Sequence, residues 1–152
     1  MIGNKIIVQV DENNIDDAAR IHSISWQDSH RSFCEKDFIE MHSPEHQRKY
    51  LLDKLKDAYE IFMLLDEEPV GIVSVKENLI EDLYVLPQMQ NKGYGTELLK
   101  YACKKCVGKP TQWILENNVN AARLYKRFGF TETGRRQAIT ENLDEIEFEL
   151  SK

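Results

Sequence analysis

Residues 90–95 read Gln90-Asn91-Lys92-Gly93-Tyr94-Gly95 and separate two different kinds of sequence. The apolar run before them, residues 83–86, is typical of a strand, and residues 96–106 after them are typical of a helix. Glycines at such a junction let the backbone approach a ligand, and the helix behind them offers unpaired N–H groups and a positive dipole end to an anion. Lys92 adds a charge-assisted donor. We interpret this stretch as a phosphate-binding loop, although Gly-x-Gly is also common at ordinary strand-to-helix turns.

Two better-known phosphate motifs are not matched. The residues after Gly95 lack the third glycine of the dinucleotide-binding fingerprint, and Leu115 stands where that motif would need an acidic residue. The pair Gly108-Lys109 lacks the upstream glycine of a P-loop and is typical of a helix end.

A second informative stretch covers residues 113–130. It begins as a short apolar strand, passes through an Asn-rich turn and continues as a helix, for which Asn118 is a suitable N-cap and Gly129 the expected stop. Apolar residues recur there at the spacing of one helical face, and they are Ala121, Leu124, Tyr125 and Phe128.

In this order and at this distance, the two stretches resemble the GNAT superfamily of N-acetyltransferases. The family's pyrophosphate-loop pattern, Gln/Arg-x-x-Gly-x-Gly/Ala, is met by Gln90, Gly93 and Gly95. Its later pattern, Asn-x-x-Ala-x-x-Leu-Tyr-x-x-x-Gly-Phe, is met by Asn118, Ala121, Leu124, Tyr125, Gly129 and Phe130. Each motif is modest alone, but together they are specific, and the resemblance covers nearly the whole chain.

The predicted order of elements agrees with this family. We expect helices from residue 15 and over residues 44–55, 96–106 and 118–128, with an irregular stretch around Trp26, His30 and Phe33. Strands are predicted over residues 5–10, 61–65, 70–76, 79–86, 112–115, 130–134 and 145–150. The resemblance implies one α/β domain of the α+β type over residues 1–152. Its mixed, mostly antiparallel sheet would contain a parallel central strand pair flanked by helices.

The resemblance implies acetyl transfer from acetyl-CoA to an amine by direct attack. Backbone N–H groups of the loop would hold the pyrophosphate, and its residues are Gln90, Asn91, Lys92, Gly93, Tyr94, Gly95 and Thr96. The backbone N–H of Leu83 would polarise the thioester oxygen, Val85 would hold pantetheine, and Asn118 would contact the CoA arm. Tyr125 matches the family's usual acid, which protonates the leaving thiolate.

The general base is less clear from the sequence. Glu81 and Asp82 begin the central strand, where alternating side chains would send at most one of them into the cleft. Glu116 and a water relay are further candidates. The acceptor amine would be selected by the N-terminal half, including Trp26, His30, Arg31 and Phe33, which leaves its identity open.

Composition narrows the class of protein. At 152 residues, 41% hydrophobic and 30% charged, the chain can bury one core. The net charge of −6 argues against a nucleic-acid binder and suits a positively charged partner. No apolar stretch approaches the ~20 residues of a membrane span, so we expect no membrane partner and a cytoplasmic location.

Other features leave alternatives open. Three cysteines build no disulfide framework, and Cys103 and Cys106 fall at helical core spacing, so we expect packing and no metal site. The sequence does not decide whether the chain forms a homodimer, or which basic residues meet the 3′-phosphate of CoA. The alternatives are a non-catalytic acyl-CoA-binding module and a nucleotide-binding protein of another fold.

Overall fold

The computed structural model describes residues 5–151, which form seven strands and five α-helices. The strands are β1 (Lys5–Gln9), β2 (Glu60–Asp66), β3 (Glu68–Lys76), β4 (Leu79–Val85), β5 (Thr111–Leu115), β6 (Thr131–Thr140) and β7 (Leu143–Glu149). The helices are α1 (Ile15–His30), α2 (Lys36–Glu40), α3 (Pro44–Lys56), α4 (Tyr94–Lys105) and α5 (Val119–Phe128). One turn of 3-10 helix, Pro87–Met89, precedes the glycine loop. Across this described part of the chain, no helix is long and apolar enough to cross a membrane.

All seven strands belong to one sheet in the order β1-β2-β3-β4-β5-β7-β6. Neighbouring strands are antiparallel except for β4 and β5, which are parallel. The structure therefore confirms the predicted mixed sheet with a parallel central pair.

The central pair is short. Only Leu79 with Thr111 and Ile80 with Gln112 are in register, and beyond Ile80 the two strands diverge. Because β4 continues along β3 as far as Val85 while β5 continues along β7, the divergence opens a cleft in the middle of the sheet.

A β-bulge interrupts β4 at this cleft. Glu81 pairs with Ser74 and Tyr84 pairs with Ile72, so two residues, Asp82 and Leu83, lie opposite a single residue of β3. Asp82 has a left-handed backbone with φ +53°. The bulge breaks the strict alternation of side chains, and the expectation that Glu81 and Asp82 lie on opposite faces is therefore wrong.

Apolar side chains cover both faces of the sheet. Along β2, Phe62 and Leu64 contribute to one core, and Ile61 and Met63 to the other, as the period of a strand requires. The first core lies under α4 and α5 and the second under α1 and α3, and their buried helical members include Leu98, Leu99, Ala102, Tyr125, Ile15, Ala18, Ile21 and Leu51. Packing of Cys103 into the first core agrees with the prediction made for it.

Helix ends follow the predicted local signals, with one exception. As predicted, Asn118 caps α5 through the N–H of Ala121 and Gly129 ends α5 at φ +119°. Ser43 likewise caps α3 through the N–H of His46. The exception is α1, which runs on as a helix through Trp26 to His30 where an irregular stretch was expected. Its buried face there is largely polar, with His22, Ser23, Ser25 and His30, so the apolar period that marks a helix in sequence is absent. The short helix α2 was also not predicted from the sequence.

Candidate active site

The glycine loop presents unpaired backbone N–H groups at the start of α4. The first intrahelical hydrogen bond runs from the N–H of Glu97 to the carbonyl of Gly93, at 3.1 Å. Helix geometry therefore leaves the N–H groups of Tyr94, Gly95 and Thr96 pointing out of the first turn. The left-handed backbone of Gly93, with φ +88°, turns the chain into the helix and favours glycine there. The loop can bind an anion at this helix end.

Gly95 has a different reason to be glycine. A Cβ placed there would lie 3.4 Å from Leu124 Cδ2 and 3.8 Å from Val85 Cγ2, both ordinary contacts, and its φ is not left-handed. The protein's own packing would therefore accept a small side chain. The absence of a Cβ leaves the loop backbone at Gly95 uncovered in the gap between Val85 of β4 and Leu124 of α5.

The end of β4 faces this same space. Leu86 donates its N–H to the carbonyl of Val70 on β3 at 2.9 Å, so the adjacent residue Val85 directs its own N–H and C=O away from β3. The amide of Gln90 donates to the carbonyl of Val85 at 3.2 Å. The side chain of Gln90 thus ties the loop to β4, a contact that the sequence did not predict.

A cavity of about 270 Å³ lies where β4 and β5 diverge. Five of the residues predicted for the site line it, and they are Glu81, Asp82, Leu83, Asn118 and Tyr125. Val85 does not line it and lies further along β4. The glycine loop, at the start of α4, does not line it either. Glu116 does not line it either, and its carboxylate pairs with Arg136 at 2.8 Å. The structure thus brings the three predicted catalytic side chains to one cavity.

The phenol of Tyr125 is protonated and lines the cavity. The residue is 2% exposed and packs its ring against Phe130 and Phe148. Burial raises the pKa of Tyr125 well above its ordinary value, and a hydrogen bond with the side chain of Gln112 opposes the shift only in part. The phenol therefore stays protonated at neutral pH.

Asp82 is the most heavily bonded carboxylate of the cavity. Its Oδ1 lies 3.1 Å from His22 Nε2 and accepts from the Tyr50 hydroxyl at 3.1 Å, while its Oδ2 accepts from Lys54 Nζ at 2.6 Å and from Ser74 Oγ at 3.1 Å. Burial acts to raise the pKa of Asp82, but the hydrogen bond with His22 and the charge of Lys54 outweigh it and hold that pKa well below the ordinary range. Asp82 is therefore a stable anion.

Comparison with known proteins identifies the family. Residues 11–149 match the model of the acetyltransferase (GNAT) domain. The chain belongs to the GNAT family of acetyltransferases. Its predicted class, an acyltransferase that uses acetyl-CoA as co-substrate, follows from that membership.

Individual relatives of this GNAT protein are distant. An uncharacterized N-acetyltransferase of Archaeoglobus fulgidus is 25% identical over 134 residues, covering 78% of this chain and 88% of that protein. Peptidyl-lysine N-acetyltransferase YjaB of Salmonella typhimurium is 32% identical over 69 residues, or 45% of this chain and 47% of that protein. This chain therefore matches about half the length of YjaB.

The fold is shared with solved GNAT proteins. PaiA N-acetyltransferase from Thermoplasma acidophilum, crystallised in complex with coenzyme A, superimposes with a TM-score of 0.71 at 16% identity. The superposition covers 95% of this chain and 98% of that one. At this identity the likeness establishes the fold alone, and it confirms the predicted architecture.

The N-terminal half of this GNAT chain supplies an aromatic wall to the cavity. Trp26 is stacked between two imidazoles, with ring centroids 3.9 Å from His30 and 3.5 Å from His42, and Phe38 meets its edge at 5.6 Å. Trp26, His30 and Phe38 line the cavity. Burial lowers the pKa of His30 to about 4, so this imidazole is neutral at pH 7.

Of the other residues expected to select the acceptor, Arg31 lies outside the cavity and pairs with Asp28 at 3.7 Å.

Phe33, the last of those residues, is likewise not part of the cavity and packs its ring against His30.

The sequence missed the cation that pairs with two carboxylates of this cavity, Glu81 and Asp82. Lys54 on α3 is 9% exposed, and its Nζ lies 2.5 Å from Glu81 Oε1 and 4.4 Å from the centroid of the Tyr59 ring. Burial acts to lower the pKa of Lys54, but the negative charges of Asp82 and Glu81 outweigh it and raise that pKa. Lys54 follows the buried Leu51 by three residues on α3, so a lysine on the apolar face of a predicted helix was the available signal.

The residues that the structure describes contain no group of three or more His, Cys, Asp or Glu side chains arranged to hold a metal ion.

Proposed function

We propose that this protein is an N-acetyltransferase that moves an acetyl group from acetyl-CoA to a primary amine. The observation that carries the proposal is the cavity at the divergence of β4 and β5, which Tyr125, Glu81 and Leu83 line together. A proton donor, a carboxylate and a strand backbone are the groups that attack of an amine on a thioester needs.

The donor would lie along β4 and reach the loop. The outward N–H groups of Tyr94, Gly95 and Thr96 would bind the pyrophosphate, and the absence of a side chain at Gly95 leaves the loop backbone uncovered. Gln90, Asn91, Lys92 and Gly93 shape the same loop. The coenzyme A held by the structurally similar PaiA protein supports a CoA site on this fold.

Next along the strand, Val85 directs its polar backbone groups away from β3 and would pair with pantetheine. Leu83, at the bulge, would place its N–H near the thioester oxygen. Asn118 is committed to capping α5, so its contact with the CoA arm would use the part of its side chain that faces the cavity.

Proton transfers would involve two side chains on opposite walls. Tyr125 on α5 lines the cavity and is protonated, so it carries the proton that the departing thiolate would take up. For the base, we favour Glu81 over Asp82, because the side chain of Glu81 is 31% exposed while that of Asp82 is 9% exposed and bonded on both oxygens. A base that contacts solvent can return its proton to water after each turnover.

The acceptor would be a cationic amine, either a small molecule or a lysine of a peptide. The cavity presents the carboxylates of Glu81 and Glu145 together with the rings of Trp26, Phe38 and Tyr50. Carboxylates and aromatic faces both attract ammonium groups. The partial likeness to YjaB, named a peptidyl-lysine N-acetyltransferase, supports including lysine peptides among the candidates.

An amine screen tests the proposal. Purified protein is incubated with acetyl-CoA and a panel of polyamines, aminoglycosides, amino acids and lysine peptides, and release of free thiol is followed. Neutral alcohols of similar size serve as controls. We expect thiol release with at least one class of cationic amine and none with alcohols. Tight binding of acetyl-CoA without turnover by any amine would instead favour a non-catalytic acyl-CoA-binding module.

A further inference from the structure

Asp82 combines an unusual backbone with an unusual number of partners. Its φ of +53° lies in the left-handed region, which few residues other than glycine adopt, although aspartate and asparagine do so more readily than most. At this bulge neither Asp82 nor Leu83 has a paired residue on β3. The regular strand ladder therefore does not hold this part of β4.

Hydrogen bonds to the Asp82 carboxylate hold this part of β4 where pairing with β3 is missing. Its four partners come from three different elements, namely His22 on α1, Tyr50 and Lys54 on α3, and Ser74 on β3. A carboxylate has about four lone-pair sites, so these partners occupy its whole accepting capacity. None remains for the proton of an acceptor amine.

His22 is itself fixed in one orientation. The amide nitrogen of Gln47, which can only donate, lies 2.5 Å from His22 Nδ1, so Nδ1 is the acceptor and Nε2 carries the hydrogen that points at Asp82. His22 is 2% exposed, and the ring of Tyr84 packs against it with centroids 5.0 Å apart. The donor that faces Asp82 is thus rigidly placed.

We propose that Asp82 is a positioning residue rather than the general base. Its carboxylate, held by four donors, fixes the bulge of β4 and so orients the backbone of Leu83 toward the reacting thioester. This inference rests on the proposed N-acetyltransferase function, in which the cavity beside Leu83 is where acetyl transfer occurs.

Two substitutions at this position separate the two roles. Asp82→Asn cannot act as a base, but asparagine tolerates a left-handed backbone, its oxygen can accept from Lys54 and Ser74, and its NH₂ group can donate to the Tyr50 hydroxyl, so that only the hydrogen bond from His22 is lost. Asp82→Ala loses every one of these contacts. We expect kcat to fall by about 10- to 100-fold in Asp82→Ala, as displaced catalytic groups do, and by less than about fivefold in Asp82→Asn. The KM for acetyl-CoA and the pH profile of kcat/KM should stay unchanged in Asp82→Asn.

A second pair of variants leaves the buried charge of Asp82 unchanged. Ser74→Ala removes one donor to Asp82, and Ser25→Ala is its matched control, because Ser25 is also buried and its Oγ has no hydrogen-bond partner within residues 5–151. We expect Ser74→Ala to lower kcat by about twofold to fivefold and Ser25→Ala to leave it unchanged. The residual dipolar coupling of the Leu83 N–H should change in Ser74→Ala and not in Ser25→Ala.

The outcomes are distinct. Equal loss of kcat in Asp82→Asn and Asp82→Ala, with the rising limb of the pH profile gone, would make Asp82 the base and overturn the proposal. Wild-type kcat in Asp82→Ala, or an unchanged Leu83 coupling in Ser74→Ala, would overturn it as well. If the wild-type protein acetylates no amine, the proposed function fails, and the dipolar coupling alone then decides whether the Asp82 anchor orients Leu83.

Discussion

The ammonium of Lys54 lies between two carboxylates, 2.5 Å from Glu81 and 2.6 Å from Asp82. These side chains come from α3 and β4, and the bulge at Asp82 allows two consecutive residues of a strand to reach the same cation. The cluster neutralises part of the charge of the cavity and joins the N-terminal helices to the central strand. It connects the stability of the fold to the geometry of the site.

Removing this cation should destabilise the protein. In Lys54→Met the buried carboxylate of Asp82 loses its charged partner, and we expect the free energy of unfolding to fall by about 3 kcal/mol. Lys56→Met is the matched control, since Lys56 is exposed on the same helix and should change stability by less than about 0.5 kcal/mol. Urea unfolding measures both, and equal stabilities would show that the cluster adds nothing to the fold.

The acid role of Tyr125 predicts a selective loss of kcat. Tyr125→Phe keeps the buried ring, so acetyl-CoA affinity should be retained, while kcat falls by roughly 10²- to 10⁴-fold as expected for loss of a general acid. Because the pKa of Tyr125 is raised, its deprotonation should not limit the rate of the wild-type protein below about pH 10. Tyr101→Phe, outside the cavity, is the control. Full activity in Tyr125→Phe, measured where chemistry is rate-limiting, would assign this tyrosine to packing.

The glycine loop can be tested by adding a side chain at Gly95. Gly95→Val fills the space in front of the loop, and we expect acetyl-CoA binding to weaken by a few kcal/mol through loss of backbone contacts. At Gly108 an added Cβ would meet no atom of residues 5–151 within 4 Å, so Gly108→Ala should bind normally. Isothermal titration of both variants, with thermal unfolding to verify folding, decides the matter. Unchanged affinity in Gly95→Val would remove the loop from the CoA site.

A cationic acceptor predicts a dependence on salt and on the carboxylate of Glu145. The kcat/KM for the amine should fall as ionic strength rises, because the attraction is screened, and should rise with pH as the free amine becomes available. Glu145→Gln should raise the KM for the amine severalfold, while Glu141→Gln, on an exposed turn, should not. A salt-independent rate, or turnover only with neutral acceptors, would exclude a cationic substrate.

Burial of neutral His30 should make stability depend on pH. The pKa of His30 is lowered from 6.5 to about 4 in the folded protein. Below pH 6.5 the unfolded chain therefore binds a proton at His30 that the folded protein does not bind. The contribution of His30 to the free energy of unfolding is therefore present above pH 6.5 and is lost as the pH falls toward 4. Between pH 7 and pH 5 the loss should be roughly 2 kcal/mol. Urea unfolding should show a smaller loss in His30→Gln, and an equal loss in both proteins would contradict the assignment.

The features that the sequence determined by itself are short, local signals. Gly93, the Asn118 cap and the Gly129 stop depend on backbone conformation within a few residues, and together with Gly95 they indicated the loop, α5 and the family. The alternation along β2 and the helical period of α4 likewise follow from which side chains face a core. Such features can be read before the chain is folded, because their cause lies within one element.

Only the tertiary structure decided which polar residues meet. His22, Tyr50, Lys54 and Ser74 are separated from Asp82 by between 8 and 60 residues, and nothing in their local sequence marks them as its partners. The left-handed backbone of Asp82 arises from the mismatch between β3 and β4, which overrides the alternation expected of a strand. Buried polar contacts depend on distance in space, since a carboxylate removed from water must find donors wherever the packed elements bring them.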